Sequence, residues 1–210
     1  MYINASIDNI KFAGEWERPD PEKVARLGET AVAMIGDSRS RIGMMAAKIR
    51  CMTPGLVLAG AVLPILAWEG DNLAIHAALD IAQPGDVLVV NANGEVNRSV
   101  FGDILAEICL KRGVRGVVID GAVRDVDAII EFGLPTFASG ICPAGPSKHG
   151  PGVIGKPVAC GHVVCSAGDV IVGDTDGVIV VPRDEIDSTL AAIERQLEVE
   201  KTIRGKIRAS

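Results

Sequence analysis

The sequence predicts an α/β protein with a central βαβαβ unit, antiparallel β-hairpins after residue 150 and a C-terminal helix. Three observations lead there. Between residues 86 and 140, apolar runs of strand length alternate with helical segments at short spacing. Such alternation calls for parallel pairing with right-handed crossovers. After residue 150 the texture changes to short β-runs broken by turn residues, GKPVACGHVVCSAGDVIVGDTDGVIVVP. From Arg183 to about Ile207 the chain is charged, and its apolar Ile186, Leu190, Ile193 and Leu197 recur at helical spacing.

Taken in order, residues 1–19 read as an irregular arm. Asp20-Pro21-Glu22 is a helix start: Asp as cap, Pro at the first helical position, an acid in the first turn. That helix is expected to reach about Met34, with a second short one around 38–48. LVLAGAVLPIL (56–66) has strand character, and Asp71 then caps a helix, NLAIHAALDIA, which stops at Pro84-Gly85. DVLVVNA (86–92) is a buried strand. FGDILAEICLKRG (101–113) is a helix closed by Gly113, with Lys111 and Arg112 in its last turn. VRGVVID (114–120) is a strand running into a turn at Gly121. VDAIIEFG (126–133) is a short helix, and LPTFASG (134–140) a strand. One domain spans residues 1–210, with the arm at 1–19 and the C-terminal helix at 183–207.

The composition limits the function classes. The 210 residues are 48% hydrophobic with only 3% aromatic, so the core is built of Val, Ile, Leu and Ala. The net charge is -6, and no basic stripe with interleaved aromatics is present. A nucleic-acid groove is therefore not expected. No apolar run reaches membrane-spanning length, and no secretory leader is expected. The five cysteines are odd in number and scattered in apolar context, which fits free thiols in a reducing cytoplasm.

In open α/β sheets, ligands sit beyond the carboxyl ends of the strands. Two loops qualify: the one entering a helix at Gly102-Asp103-Ile104-Leu105, and the one containing Gly121-Ala122-Val123-Arg124-Asp125. If their strands are parallel neighbours, both lie at one edge. A helix N-terminus offers free N–H groups and a positive dipole end to an anion, and Gly102 allows close approach. Arg124 can hold the same anion through its planar fork. Asp125 can hold a hard cation, since Mg²⁺ often takes only one or two carboxylates and fills its octahedron with water and substrate oxygens. Asp103 adds a second carboxylate, placed to orient a water or accept a proton. The ordinary alternative is a helix start with a solvated cation.

Asp103, twenty intervening residues, then Arg124-Asp125 is similar to the signature of class II pyruvate aldolases of the 4-hydroxy-4-methyl-2-oxoglutarate and 4-carboxy-4-hydroxy-2-oxoadipate type. These share a fold with the regulator of ribonuclease E activity A family. DNLAIHAALDIAQPGDVLVVNANG, GVVIDGAVRD, GLPTFASG and GDVIVGDTDGVIVVP also resemble family blocks, in family order. The resemblance implies an αββα sandwich, trimers or dimers of trimers, and a site near a subunit interface. It implies that 102–105 is the substrate-carboxylate loop, Arg124 the substrate-binding arginine and Asp125 the ligand of Mg²⁺ or Mn²⁺. Glu198 and Glu200 are candidates for an acid lent to a neighbouring subunit. The implied activity is cleavage of 4-hydroxy-2-oxo di- and tricarboxylic acids to pyruvate, with oxaloacetate decarboxylation through the same enolate. The rival reading is a non-catalytic oligomer that binds and regulates a ribonuclease.

Other features carry less. Cys160, His162 and Cys165 lack the four converging ligands of a structural zinc site. GDTDG (173–177) lacks the later ligands of a calcium loop and reads as a hairpin turn. His76 reads as a core or interface histidine, and His149 as a loop residue.

Overall fold

The computed structural model describes residue 3 and residues 5–209. Twelve strands are present: β1 (Ile10–Phe12), β2 (Arg50–Cys51), β3 (Leu58–Ala67), β4 (Asp86–Asn91), β5 (Ser99–Phe101), β6 (Gly116–Val123), β7 (Thr136–Ile141), β8 (Gly152–Ile154), β9 (Val158–Cys160), β10 (Val163–Cys165), β11 (Val170–Asp174) and β12 (Gly177–Val181). The helices are α1 (Pro21–Gly28), α2 (Val32–Ser38), α3 (Leu73–Ile81), α4 (Asp103–Arg112), α5 (Val126–Phe132) and α6 (Ile186–Ala209).

The strands β3, β4, β6 and β7 pair in parallel in that order. Each is buried on both faces and alternates between two cores. Leu63, Ile65, Leu88, Val90, Val117, Ile119 and Ala138 face one core with α3, α4 and α5. Val62, Val87, Val89, Val118 and Phe137 face a second core, shared with Val158, Cys160, Ile171 and Val180 of the hairpins. This two-sided burial is why the strands read as continuous apolar runs. Each fully buried Val, Leu or Ile contributes roughly 1.5–3 kcal/mol. A third cluster joins the hairpin β11–β12 to α1, α2 and α6 through Val172, Ile179, Leu27, Ile35 and Leu190. The layers therefore run helix, sheet, sheet, helix, as the αββα expectation has it. The hairpins β9–β10 and β11–β12 are antiparallel, and the C-terminal helix is present.

Four local expectations are corrected. The N-terminal arm is not wholly irregular: β1 pairs with β8, Ile10 opposite Gly152. The helix starting at Asp20 does not reach Met34. It ends at Gly28, and α2 starts afresh at Val32, whose N–H donates to Asp174 Oδ2 at 2.9 Å. No helix fills 38–48, which runs through turns after α2. Gly121 is not a turn. The strand β6 runs through it to Val123, because β5, absent from the sequence reading, returns beside β6 and pairs with its last residues (Ser99 opposite Ala122). Along the C-terminal helix, Ile186, Leu190 and Ile193 are buried but Leu197 is 49% exposed, so the apolar stripe outlasts the core.

Among the described residues, no helix is long and apolar enough to cross a membrane.

Candidate functional site

The strands β5 and β6 are parallel neighbours, so their carboxyl ends deliver Gly102 and Arg124 to one edge. The Arg124 N–H donates to Phe101 O at 2.9 Å and locks the two chain segments together. Asp125 follows with φ 54°, ψ 38°, a left-handed conformation at the start of α5. Its Oδ2 accepts from Arg124 Nε at 3.1 Å and from the Asp103 N–H at 3.4 Å. A Cβ on residue 102 would lie 2.5 Å from Asp125 Oδ2 and 3.1 Å from Arg124 Cγ, so glycine is what lets the pair approach α4. Gly145 stands on the other side, where a Cβ would lie 2.7 Å from Arg124 Nη1.

Asp103 turns back onto its own helix, with Oδ1 accepting from the Ile104 N–H at 2.7 Å. Two of the N–H groups expected to receive a carboxylate, those of Asp103 and Ile104, are thus already bonded to the site's own acids. An incoming anion must displace them. Asp103 Oδ2 and Asp125 Oδ1 have no hydrogen-bond partner among the described residues. Each carboxylate therefore keeps one free oxygen. No group of three or more His, Cys, Asp or Glu is placed to hold a metal among the described residues. The donor set suits a cation that keeps most of its waters, and not one caged by protein. Cys160 and Cys165 are buried in the β9–β10 hairpin, with His162 at its turn.

These residues border a cleft of about 100 Å³. One wall is Gly102, Asp103, Ile104, Leu105 and Arg124, the full set that the sequence singled out for substrate. Leu105 is buried, while Ile104 is 63% exposed and forms an apolar lip. Asp125 stands behind Arg124. The other wall is Asn72 and His76 of the α3 start, with Pro146 and Lys148 from the loop before β8. Sequence reading gave His76 a core role and did not reach Asn72 or Lys148. A signal existed: β3 is parallel to β4, so the helix after β3 must begin at the same carboxyl edge.

Asp71 fastens this second wall. Its Oδ1 accepts from the Leu73 N–H at 2.9 Å; its Oδ2 accepts from Ser147 Oγ at 2.8 Å and the His149 N–H at 2.6 Å. Burial works against this carboxylate, but the hydrogen bonds from His149, Leu73 and Ser147 outweigh it and hold its pKa below the usual value. Burial, with Lys148 nearby, pushes the His76 pKa down to about 4, so His76 is neutral at pH 7. Asp120, also unforeseen, faces the hairpin core. It accepts from Lys48 Nζ at 2.7 Å, Ser139 Oγ at 2.9 Å and the Gly161 N–H at 3.1 Å. Burial opposes its charge, and these donors more than offset it. Glu198 and Glu200 pair within their own helix, with Lys201 at 3.6 Å and Arg204 at 3.3 Å.

Parallel strands that end in two helix starts and an arginine define an α/β protein with an anion-type cleft at the carboxyl edge of its sheet. The chain belongs to the RraA-like family, described as Aldolase/RraA, whose model matches residues 30–180. A relative from Halalkalibacterium halodurans, provisionally named 4-hydroxy-4-methyl-2-oxoglutarate aldolase, is 33% identical over 162 residues, 77% of each chain. Streptomyces coelicolor RraAS2, described as an unusual member of the RNase ES inhibitor RraA protein family, superposes with a TM-score of 0.80. It is 28% identical, over 90% of this chain and 100% of that one. An uncharacterized protein from Pseudomonas syringae pv. tomato shares the fold, with a TM-score of 0.82 at 22% identity over 94% and 93% of the two chains.

Proposed function

We propose that the chain is a divalent-metal-dependent carbon–carbon lyase. It cleaves 4-hydroxy-2-oxo acids of the 4-hydroxy-4-methyl-2-oxoglutarate and 4-carboxy-4-hydroxy-2-oxoadipate kind to pyruvate, and it decarboxylates oxaloacetate at the same site. The observation that carries this reading is the packing of Arg124 and Asp125 against Gly102 at the head of α4. The name of the Halalkalibacterium halodurans relative points the same way.

Asp125, through its free oxygen, and Asp103 would hold Mg²⁺ or Mn²⁺ among waters. The ion supplies Lewis-acid charge beside the 2-oxo group when bound. Arg124 makes no hydrogen bond to a described residue through its terminal nitrogens, so these are free to grip the substrate's carboxylate or keto oxygen. As the C3–C4 bond breaks, its electron pair moves into the pyruvate enolate, and Arg124 shares that growing charge. Backbone N–H groups at 103–105 fix the carboxylate once the acids release them. Asp103, through a water, takes the 4-hydroxyl proton and helps return a proton to the enolate carbon. Ile104 and Leu105 keep this end of the cleft dry.

The fold relatives support a homo-oligomeric state, a trimer or dimer of trimers, and α6 beyond Ile193 leaves Leu197, Ile203 and Ile207 exposed in the single chain. A second reading is favoured by the likeness to Streptomyces coelicolor RraAS2: an oligomer that binds and regulates a ribonuclease. Pyruvate release from 4-hydroxy-4-methyl-2-oxoglutarate and from oxaloacetate separates the two, measured with Mg²⁺, with EDTA, and for Asp125→Ala. The lyase reading expects metal-dependent pyruvate that vanishes in the variant. Pyruvate from oxaloacetate alone reduces the claim to a decarboxylase, and none under any condition puts the protein-binding reading first.

A further inference from the structure

We infer that Asn72, His76 and Lys148 form a recognition subsite for a second anionic group on the ligand. The cleft then selects 2-oxo acids with a carboxylate at the far end over mono-acids. The inference rests on the 2-oxo acid reading of the Arg124 wall and adds the residues that set substrate class.

Asn72 is only 5% exposed, borders the cleft, and leaves its Oδ1 without a partner. Buried polar groups are nearly always paired, so an orphan at a cleft wall marks a ligand contact. Amide oxygen and nitrogen exchange by a half-turn. The same side chain can therefore meet a carboxylate with N–H or a hydroxyl with oxygen, and a 4-hydroxy diacid presents both. His76 is also 5% exposed and borders the cleft. As a neutral ring it brings one N–H donor without adding a buried charge. Lys148 forms no ion pair with another described residue, so its ammonium is uncommitted at the mouth. Its loop cannot drift away, because Ser147 accepts at its carbonyl from the Asn72 N–H at 3.1 Å and donates its own N–H to Gly70 O at 2.8 Å. The start of α3 adds its positive dipole end. Asp71 is the nearby negative group, and its oxygens are spent on three hydrogen bonds inside the wall.

Two ligands isolate the far group: 2-oxoglutarate and 2-oxopentanoate have the same 2-oxo acid head, the same chain length and no hydroxyl to cleave. Calorimetric binding to the full chain with Mg²⁺ should favour 2-oxoglutarate by about tenfold or more, the equivalent of one charge-assisted contact. Lys148→Met, an exposed change that leaves the core intact, should lower 2-oxoglutarate affinity about tenfold and that of 2-oxopentanoate far less. Asn72→Asp places a like charge in the wall and should weaken 2-oxoglutarate selectively. Equal binding of the two acids by the unaltered chain overturns the inference, as does an equal loss of both in Lys148→Met. If neither acid binds, the 2-oxo acid reading itself falls and takes the subsite with it. That outcome is distinct from binding without discrimination.

Discussion

At Gly102 a single methyl group would decide whether Arg124 and Asp125 stay together. The added Cβ would press on Asp125 Oδ2, the free end of a side chain that can swing aside. The fold should tolerate Gly102→Ala, with an unfolding free energy within about 1 kcal/mol of the parent. The site should not, because the displaced carboxylate gives up its bond to Arg124 Nε. On the lyase reading, pyruvate release should fall about a hundredfold, the cost of misplacing a reacting group by an ångström. A variant that keeps full turnover with unchanged stability would remove Gly102 from the argument. Residues on this wall were legible because they are adjacent in sequence to strand ends and combine glycine, arginine and acids. Asn72 and Lys148 were not. They lie 76 positions apart and meet only because Asp71 ties Ser147 to the α3 start.

Elements were legible where local signals suffice. Asp20 accepts from the Glu22 N–H at 2.9 Å as a cap should, and Gly113 closes α4 in the left-handed region. The break between α1 and α2 had no such signal. The cap of α2 is the carboxylate of Asp174, 142 positions away, whose other oxygen accepts from the Asp176 N–H at 2.9 Å in the hairpin turn. GDTDG is thus a turn, as its sequence suggests, and also the clasp of a helix. Asp174→Ala should cost about 1–2 kcal/mol, the range for a lost N-cap together with a turn contact. It should lower the urea midpoint and leave ligand binding at the distant cleft intact. A change below a few tenths would mean that water replaces the cap at no cost. Strand β5 escaped for a related reason: three residues on the edge of β6 carry no periodicity, and only the register with Ala122 and Val123 defines them.

Across the whole molecule, the layer order was carried by the resemblance. Composition alone gave a Val- and Ile-rich α/β core, without showing that the sheet is covered by helices on one face and hairpins on the other. The molecule is acidic at -6, yet its cleft gathers Arg124, Lys148 and two helix starts, so the local field is the reverse of the net charge. The same wall should govern how the fold responds to pH. His76 titrates near 6.5 in an unfolded chain and at about 4 in the fold. Between those values the unfolded state binds one more proton than the folded state, so stability must fall as pH falls through this window. The loss approaches roughly 3 kcal/mol by pH 4. Asp169, with its pKa raised by burial, opposes this at the acid end, because there the folded state binds the extra proton. Asp71 and Asp120 have lowered pKa values, and their contributions disappear only as pH drops below the ordinary carboxylate range. Urea unfolding at several pH values between 4.5 and 7 should therefore show stability rising with pH. In His76→Gln, which keeps a polar side chain but cannot titrate, most of that slope should vanish while the loss below pH 4 remains. An unchanged slope in the variant would mean that His76 reaches water and protonates freely in the fold, and it would then meet an anionic ligand as a cation.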